Sequence, residues 1–209
     1  MIYEQVTEPF VCINIRDFLD QAESNGIGED DLQNILSDFS SPKNFDVDRF
    51  LKKNAIEFTK KHQSITYLVF SSEDMRLAGY FSITMKPVVM DVSKMSNAVR
   101  KKLGRLSKFD ETSDSCTIAS YLIAQLGKNY SDQIKFPIAG RLLMDTAIDI
   151  LHSIQYQLGG LMVYLECEEK EPLLHFYQDQ NGFRMFGERM TEPLGNEKSR
   201  RLLQLMNFL

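Results

Sequence analysis

Ten consecutive residues without a charge, TIASYLIAQL (117–126), constrain this chain most. The run is almost continuously apolar, yet far too short to cross a membrane as a helix. An uncharged apolar run of this kind is expected of a central strand covered on both faces. The rest of the chain must then supply the cover.

The flanking patterns do so by alternating. FVCINI (10–15) reads as a short strand. EDDLQNILSDF (29–39) places Leu32, Ile35, Leu36 and Phe39 at helical spacing, and DVDRFLKKNAIEFTKKH (46–62) reads as one amphipathic helix with an acidic start and a basic end. SITYLVF (64–70) and LAGYFSITM (77–85) are rich in β-branched and aromatic residues, and the polar SSEDMR between them predicts a hairpin. A further helix is expected within 91–108. IAGRLLMDTAIDILHSI (138–154) puts Leu143, Ala147, Ile150, Leu151 and Ile154 on one helical face, with Pro137 in its first turn. LGG closes that helix and LMVYLEC (161–167) is a strand. A short helix over about 171–180 leads through Asn181-Gly182 into FRMFGERM, and RRLLQLMNFL fits strand or helix equally. Helix and strand in alternation, with a hairpin among them, predict an α/β fold built on a mixed sheet. The chain is expected to form one domain over 1–209, with 1–38 an N-terminal extension packed on it.

Composition narrows the function. At 209 residues, 43% hydrophobic and 25% charged, the chain is ordinary globular material. A net charge of −5 and a pI near 5.3 exclude a general nucleic-acid binder. The charge is uneven: residues 1–34 carry eight carboxylates and one base, Arg16, whereas Lys86 to Lys108 carries seven bases against Asp91. RKKLGRLSK within that segment is either the solvated face of a helix or a rim that attracts a phosphate-bearing ligand. Three scattered cysteines, Cys12, Cys116 and Cys167, suit reduced thiols and a cytoplasmic location. Three histidines without paired ligand spacing give no metal site. MIYEQVTEPF has no signal-peptide pattern, and no apolar run is long enough to predict a membrane span.

The order of elements from 64 to 186 resembles the GNAT superfamily of acetyl-CoA-dependent N-acetyltransferases. YLVFSSEDMRLAGYFSI is similar to that family's central hairpin. SYLIAQLGKN followed by IAGRLLMDTAIDIL is similar to its strand–loop–helix for the acyl carrier. LMVYLECEEKEPLLHFYQDQNGF is similar to its next strand and its Phe-Tyr-x-x-x-Gly-Phe signature, here Phe176, Tyr177, Gly182 and Phe183. Upstream, FDVDRFLKKNAIEFTKKH resembles a helix of the branch that includes toxin–antitoxin acetyltransferases, which block the amine of charged tRNA.

The resemblance implies a GNAT-like fold with a central mixed sheet flanked by helices, and acetyl-CoA as co-substrate. Tyr177 would be the general acid for the departing thiolate. Backbone at Leu126 and Lys128 would line the pantetheine arm, with Gly127 leaving room for it, although a strand-end glycine explains that residue as well. The pyrophosphate would lie at the start of the 138–154 helix, on Lys135, Ile138, Ala139, Gly140 and Arg141. Here the chain departs from the family's Gln/Arg-x-x-Gly-x-Gly/Ala turn: KFPIAG has Lys135 at the first position and Ile138 in place of the first glycine, and Pro137 removes a donor. No carboxylate falls on TIASYLIAQL to serve as base; Glu166, Glu73 and Asp74 are candidates without positional support.

Two functions fit these residues. One is an N-acetyltransferase acting on an amine, and an α-amine suits a chain without an obvious base because it is appreciably neutral at pH 7. The net charge does not favour tRNA as its acceptor. The other is a GNAT-fold binding or regulatory protein with little or no catalysis. A homodimer is open in either case.

Overall fold

The hairpin predicted at 64–85 is the centre of the first of two compact units. The computed structural model describes residues 5–7, 9–21, 28–93, 95–192 and 199–209. One unit comprises 1–84 and 123–150, the other 85–122 and 151–209. Three elements run through both: strand β4 (Leu77–Asp91), strand β5 (Ser115–Lys128) and helix α6 (Gly140–Leu158).

In the first unit, β1 (Gln5–Thr7), β2 (Phe10–Asn14), β3 (Ile65–Ser71), β4 and β5 succeed one another across the sheet. β2 pairs antiparallel with β3 from Phe10↔Ser71 to Asn14↔Tyr67, and β3 with β4 from Ile65↔Ile83 to Phe70↔Leu77. The strand expected at FVCINI is thus Phe10–Asn14, paired into this sheet. Four short helices, α1 (Ile15–Gln21), α2 (Glu29–Ser37), α3 (Phe45–Lys53) and α4 (Ala55–Lys60), supply the apolar cover. Their core joins Ile15, Leu32, Leu36, Val47, Phe50 and Leu51 to Leu68, Phe70 and Tyr80. The single helix expected over 46–62 is broken at Asn54, whose backbone (φ −120°, ψ −27°) leaves helical geometry. Asn44 starts α3 by accepting a hydrogen bond from the Val47 N–H. On the same sheet face as Tyr80, Thr66 and its cross-strand partner Ser82 are fully buried, and neither hydroxyl has a hydrogen-bond partner among the described residues.

In the second unit the order is β4, β5, β6 (Met162–Cys167), β8 (Arg201–Phe208) and β7 (Arg184–Met190). β5 pairs parallel with β6 at Tyr121↔Val163 and Leu122↔Tyr164, and β8 lies antiparallel to both β6 and β7. The ambiguous RRLLQLMNFL is therefore strand, fixed by its register from Met162↔Phe208 to Cys167↔Leu203. The mixed sheet with helices is the α/β architecture expected from the alternation.

Several element boundaries depart from those expected. β5 is buried continuously only over Ser120–Ile123; Thr117 and Ala119 are exposed, so its first half alternates as a one-sided strand does. The helix expected within 91–108 is α5 (Asn97–Leu103), and the one expected over 171–180 is a four-residue α7 (Glu171–Leu174) running into a π-helix (His175–Gln180). Among the described residues, no helix is long and apolar enough to cross a membrane.

Candidate functional site

Asn129 ends β5 and anchors the loop beyond it. It is buried, and its N–H donates to the Ala78 carbonyl at 2.9 Å while its Nδ2 donates to the Leu77 carbonyl at 2.8 Å. Its Oδ1 accepts from the Ser40 N–H and the Ser131 N–H, both at 2.9 Å. The Tyr130 N–H then donates to the Ser40 carbonyl. The chain from Lys128 to Ser131 is thereby pinned to β4 and to the α2–α3 connection. The sequence signal was small: an Asn after Gly-Lys at the end of an apolar strand.

Just ahead of it, Gly127 is buried. A Cβ placed there would come within 2.4 Å of Val47 Cγ1, 3.0 Å of Tyr80 Cε1 and 3.2 Å of Phe39 Cζ. The Tyr80 hydroxyl donates to the Val47 carbonyl at 2.6 Å, which holds that wall in place. A side chain here would collide with Val47, Tyr80 and Phe39, which is reason enough for a glycine whether or not a ligand passes it. Leu126 and Lys128 on either side are half-buried, and the Lys128 ammonium stands 5.7 Å from the centre of the Tyr130 ring.

The connection 129–139 leads to α6, which begins at Gly140 rather than at 138. Pro137 therefore stands ahead of the helix instead of in its first turn. Ile138 is completely buried; its Cγ2 and Leu143 Cδ2 each lie 3.3 Å from where a Cβ of Gly79 would be. The bulk expected to crowd the turn is thus inside the core. The Leu143 N–H donates to the Ala139 carbonyl at 3.1 Å, and the N–H groups of Gly140, Arg141 and Leu142 precede that first helical bond. Lys135 is exposed and, among the described residues, has no ion-pair partner; Arg141 is exposed and paired with Asp145 at 3.0 Å. Early helical N–H groups, with Lys135 five residues ahead of Gly140 and Arg141 in the first turn, make a segment that suits an anion. All eight residues implied for the acyl carrier, Leu126, Gly127, Lys128, Lys135, Ile138, Ala139, Gly140 and Arg141, belong to the first unit.

Tyr177 belongs to the second unit. It lies in the π-helix, its ring 5.1 Å from that of Phe176 and 6.3 Å from that of Phe183, both edge-on. The wide turn folds the chain back so that the Phe183 N–H donates to the Tyr177 carbonyl at 3.0 Å. Burial pushes the phenol well above its ordinary range, and the nearby Cys167 thiol adds to the effect. Asn181 Nδ2 closes the segment on the Phe176 carbonyl, and Gly182 turns it with φ +71°.

The candidate bases fare differently. Glu166 is half-buried and held by Arg189 Nε at 2.7 and 2.8 Å, with Gln204 Nε2 donating at 2.9 Å. Both of its oxygens are therefore already engaged by side-chain donors. Asp74 at the hairpin accepts from the Arg76 N–H through Oδ1, and its Oδ2 is buried without a partner among the described residues. Glu73 is exposed, its N–H bonded to Ser71 Oγ. Among the described residues no cluster of three or more His, Cys, Asp or Glu is placed to hold a metal ion.

No profile of a known protein family matches this chain, and no curated protein does. Solved structures do. AtaT complexed with acetyl-methionyl-tRNAfMet aligns at a TM-score of 0.55 with 16% identity over 80% of this chain and 85% of that one. A tyrosine-to-phenylalanine mutant of KacT aligns at 0.56 with 16% identity, over 81% and 86%. AtaTR bound with AcCoA aligns at 0.53 with 13% identity, over 96% and 93%. With strand order, the α6 turn and these alignments together, the chain has the fold of the GNAT acetyltransferases.

Proposed function

We propose that this protein is an N-acetyltransferase that uses acetyl-CoA, with Tyr177 as the general acid. The observation that carries the reading is the turn into α6: early helical N–H groups beside Lys135 and Arg141, with Ile138 withdrawn into the core. The fold is shared with a structure described as bound with AcCoA. The donor supplies an acetyl group activated as a thioester. Gly140, Arg141 and Lys135 hold its pyrophosphate, and the backbone of Leu126 and Lys128 lies along its arm in the manner of an added strand. A backbone N–H near Leu126 stabilises the carbonyl oxygen as negative charge gathers on it. Tyr177, kept protonated by burial, offers its hydroxyl to the departing sulfur without repelling it.

With Glu166 engaged by Arg189, the chain favours an acceptor that is neutral without help. An α-amine, near 7.7–8.0 in its reference state, qualifies; a lysine near 10.4 does not. Charged tRNA is one such acceptor, and the acidic pI argues for testing it beside peptides and free amines rather than ahead of them.

The test has two stages. Acetyl-CoA should raise the melting temperature, because a ligand that binds only the native state stabilises it. Turnover is then screened over free amino acids, polyamines, peptides and charged tRNA. Acetylation of an α-amine, with kcat/KM rising to a plateau near pH 8, supports the proposal; efficient acetylation of peptidyl lysine alone removes the α-amine part. A second reading, a GNAT-fold binding protein, draws on the engagement of Glu166 by Arg189 and gains if no stabilisation is seen at high acetyl-CoA.

A further inference from the structure

The connection between β5 and α6 carries two exposed rings, Tyr130 at 49% and Phe136 at 43% exposure. Tyr130 already has the Lys128 ammonium beside its ring. Phe136 makes no ring pair and no cation–π contact among the described residues. It is nevertheless held on a short anchored arm: Pro137 comes next with a fixed φ, and Ile138, two residues on, is locked under Gly79. Lys135, unpaired among the described residues, precedes it, and the first helical N–H groups of α6 begin four residues later. An exposed aromatic ring one residue from a cation and four residues from the start of a helix is a pattern that can stack a nucleobase while its phosphates are held alongside.

Resting on the acetyl-CoA reading, we infer that Phe136 is the stacking platform for the adenine of the donor, and Lys135 the cation that accompanies it. The ring then sets how strongly the protein distinguishes a donor with a nucleotide from one without. Its contribution is to binding, separate from the acyl-transfer step.

The test compares dissociation constants for acetyl-CoA and acetyl-4′-phosphopantetheine, measured by calorimetry on wild type, Phe136→Leu and Phe136→Trp. Wild type should prefer acetyl-CoA; Phe136→Leu, apolar but unable to stack, should weaken acetyl-CoA by about fivefold or more while leaving the pantetheine ligand unchanged. Phe136→Trp should keep or strengthen the preference. An unchanged preference in Phe136→Leu overturns the inference and leaves the donor reading standing. Absence of acetyl-CoA binding to wild type overturns both. Since the side chain is exposed, circular dichroism and melting temperature should match wild type in both variants.

Discussion

Gly79 and Ile138 fit as seat and occupant: a Cβ on the glycine would meet the isoleucine Cγ2 at 3.3 Å. The glycine of β4 makes room for the residue that starts the turn into α6. Ile138→Ala should therefore cost about 2–5 kcal/mol in urea unfolding, and Ile138→Val about 0.5–1.5 kcal/mol. The valine variant should bind acetyl-CoA like wild type, because the side chain acts from inside the core.

Gly127→Ala should destabilise by roughly 1–3 kcal/mol, since the new methyl collides with Val47 Cγ1. Val47→Ala in the same chain should restore part of that loss. If Gly127 instead served ligand approach, the single variant would lose acetyl-CoA affinity with its stability intact, and the second substitution would restore nothing.

Asn129→Ala strands the Ser40 and Ser131 N–H groups and the Leu77 carbonyl at once. An unfolding cost of about 2–4 kcal/mol is expected, as each buried group left without a partner costs about 1–3 kcal/mol and some will find water. Hydrogen exchange should show the strongest loss of protection at Ser40, Ser131 and Tyr130.

Tyr177→Phe should lower kcat by about 10²-fold or more while leaving acetyl-CoA affinity intact. The same variant has a signature in alkali. Burial raises the native phenol above its ordinary value near 10, so that stability is fully present below that pH and falls as pH rises beyond it. Without the phenol, the loss of stability above about pH 10 should be less steep. Equal rates in the two proteins would take Tyr177 out of the chemistry.

Thr66 and Ser82 face each other, fully buried, with no partner for either hydroxyl among the described residues. Thr66→Val keeps the shape and removes an unsatisfied group, so stability should hold or rise by up to about 1 kcal/mol. A clear loss in thermal unfolding would show that the hydroxyl is hydrogen-bonded in solution.

Much of this architecture was legible locally. The hairpin, the 143–154 apolar face and the order of strands and helices all come from periodicity, which depends on neighbours in sequence. The features that escaped depend on distant partners. RRLLQLMNFL has apolar residues at spacings that satisfy either period, and only pairing with β6 makes it a strand. The role of Gly127 rests on Phe39, Val47 and Tyr80, none of them nearby in the chain. In the candidate site, Tyr177 and the α6 turn came from a pattern of residues. Asn129 and the withdrawal of Ile138 did not, because one amide and one isoleucine carry no signal until their surroundings are known.

The π-helix at 175–180 holds slack beside the phenol. Its turn closes on the fifth residue rather than the fourth, which stores one residue more than an α-helix over the same path. Deleting Gln178 would remove that surplus, and the backbone would re-close with α-helical spacing between the same two ends. β7 would keep its register on β8, with Phe186 still edge-on to Tyr164 at 6.2 Å. What changes is local: the Tyr177 ring, carried on the widened turn, would be re-aimed while the strand beyond it stays in place.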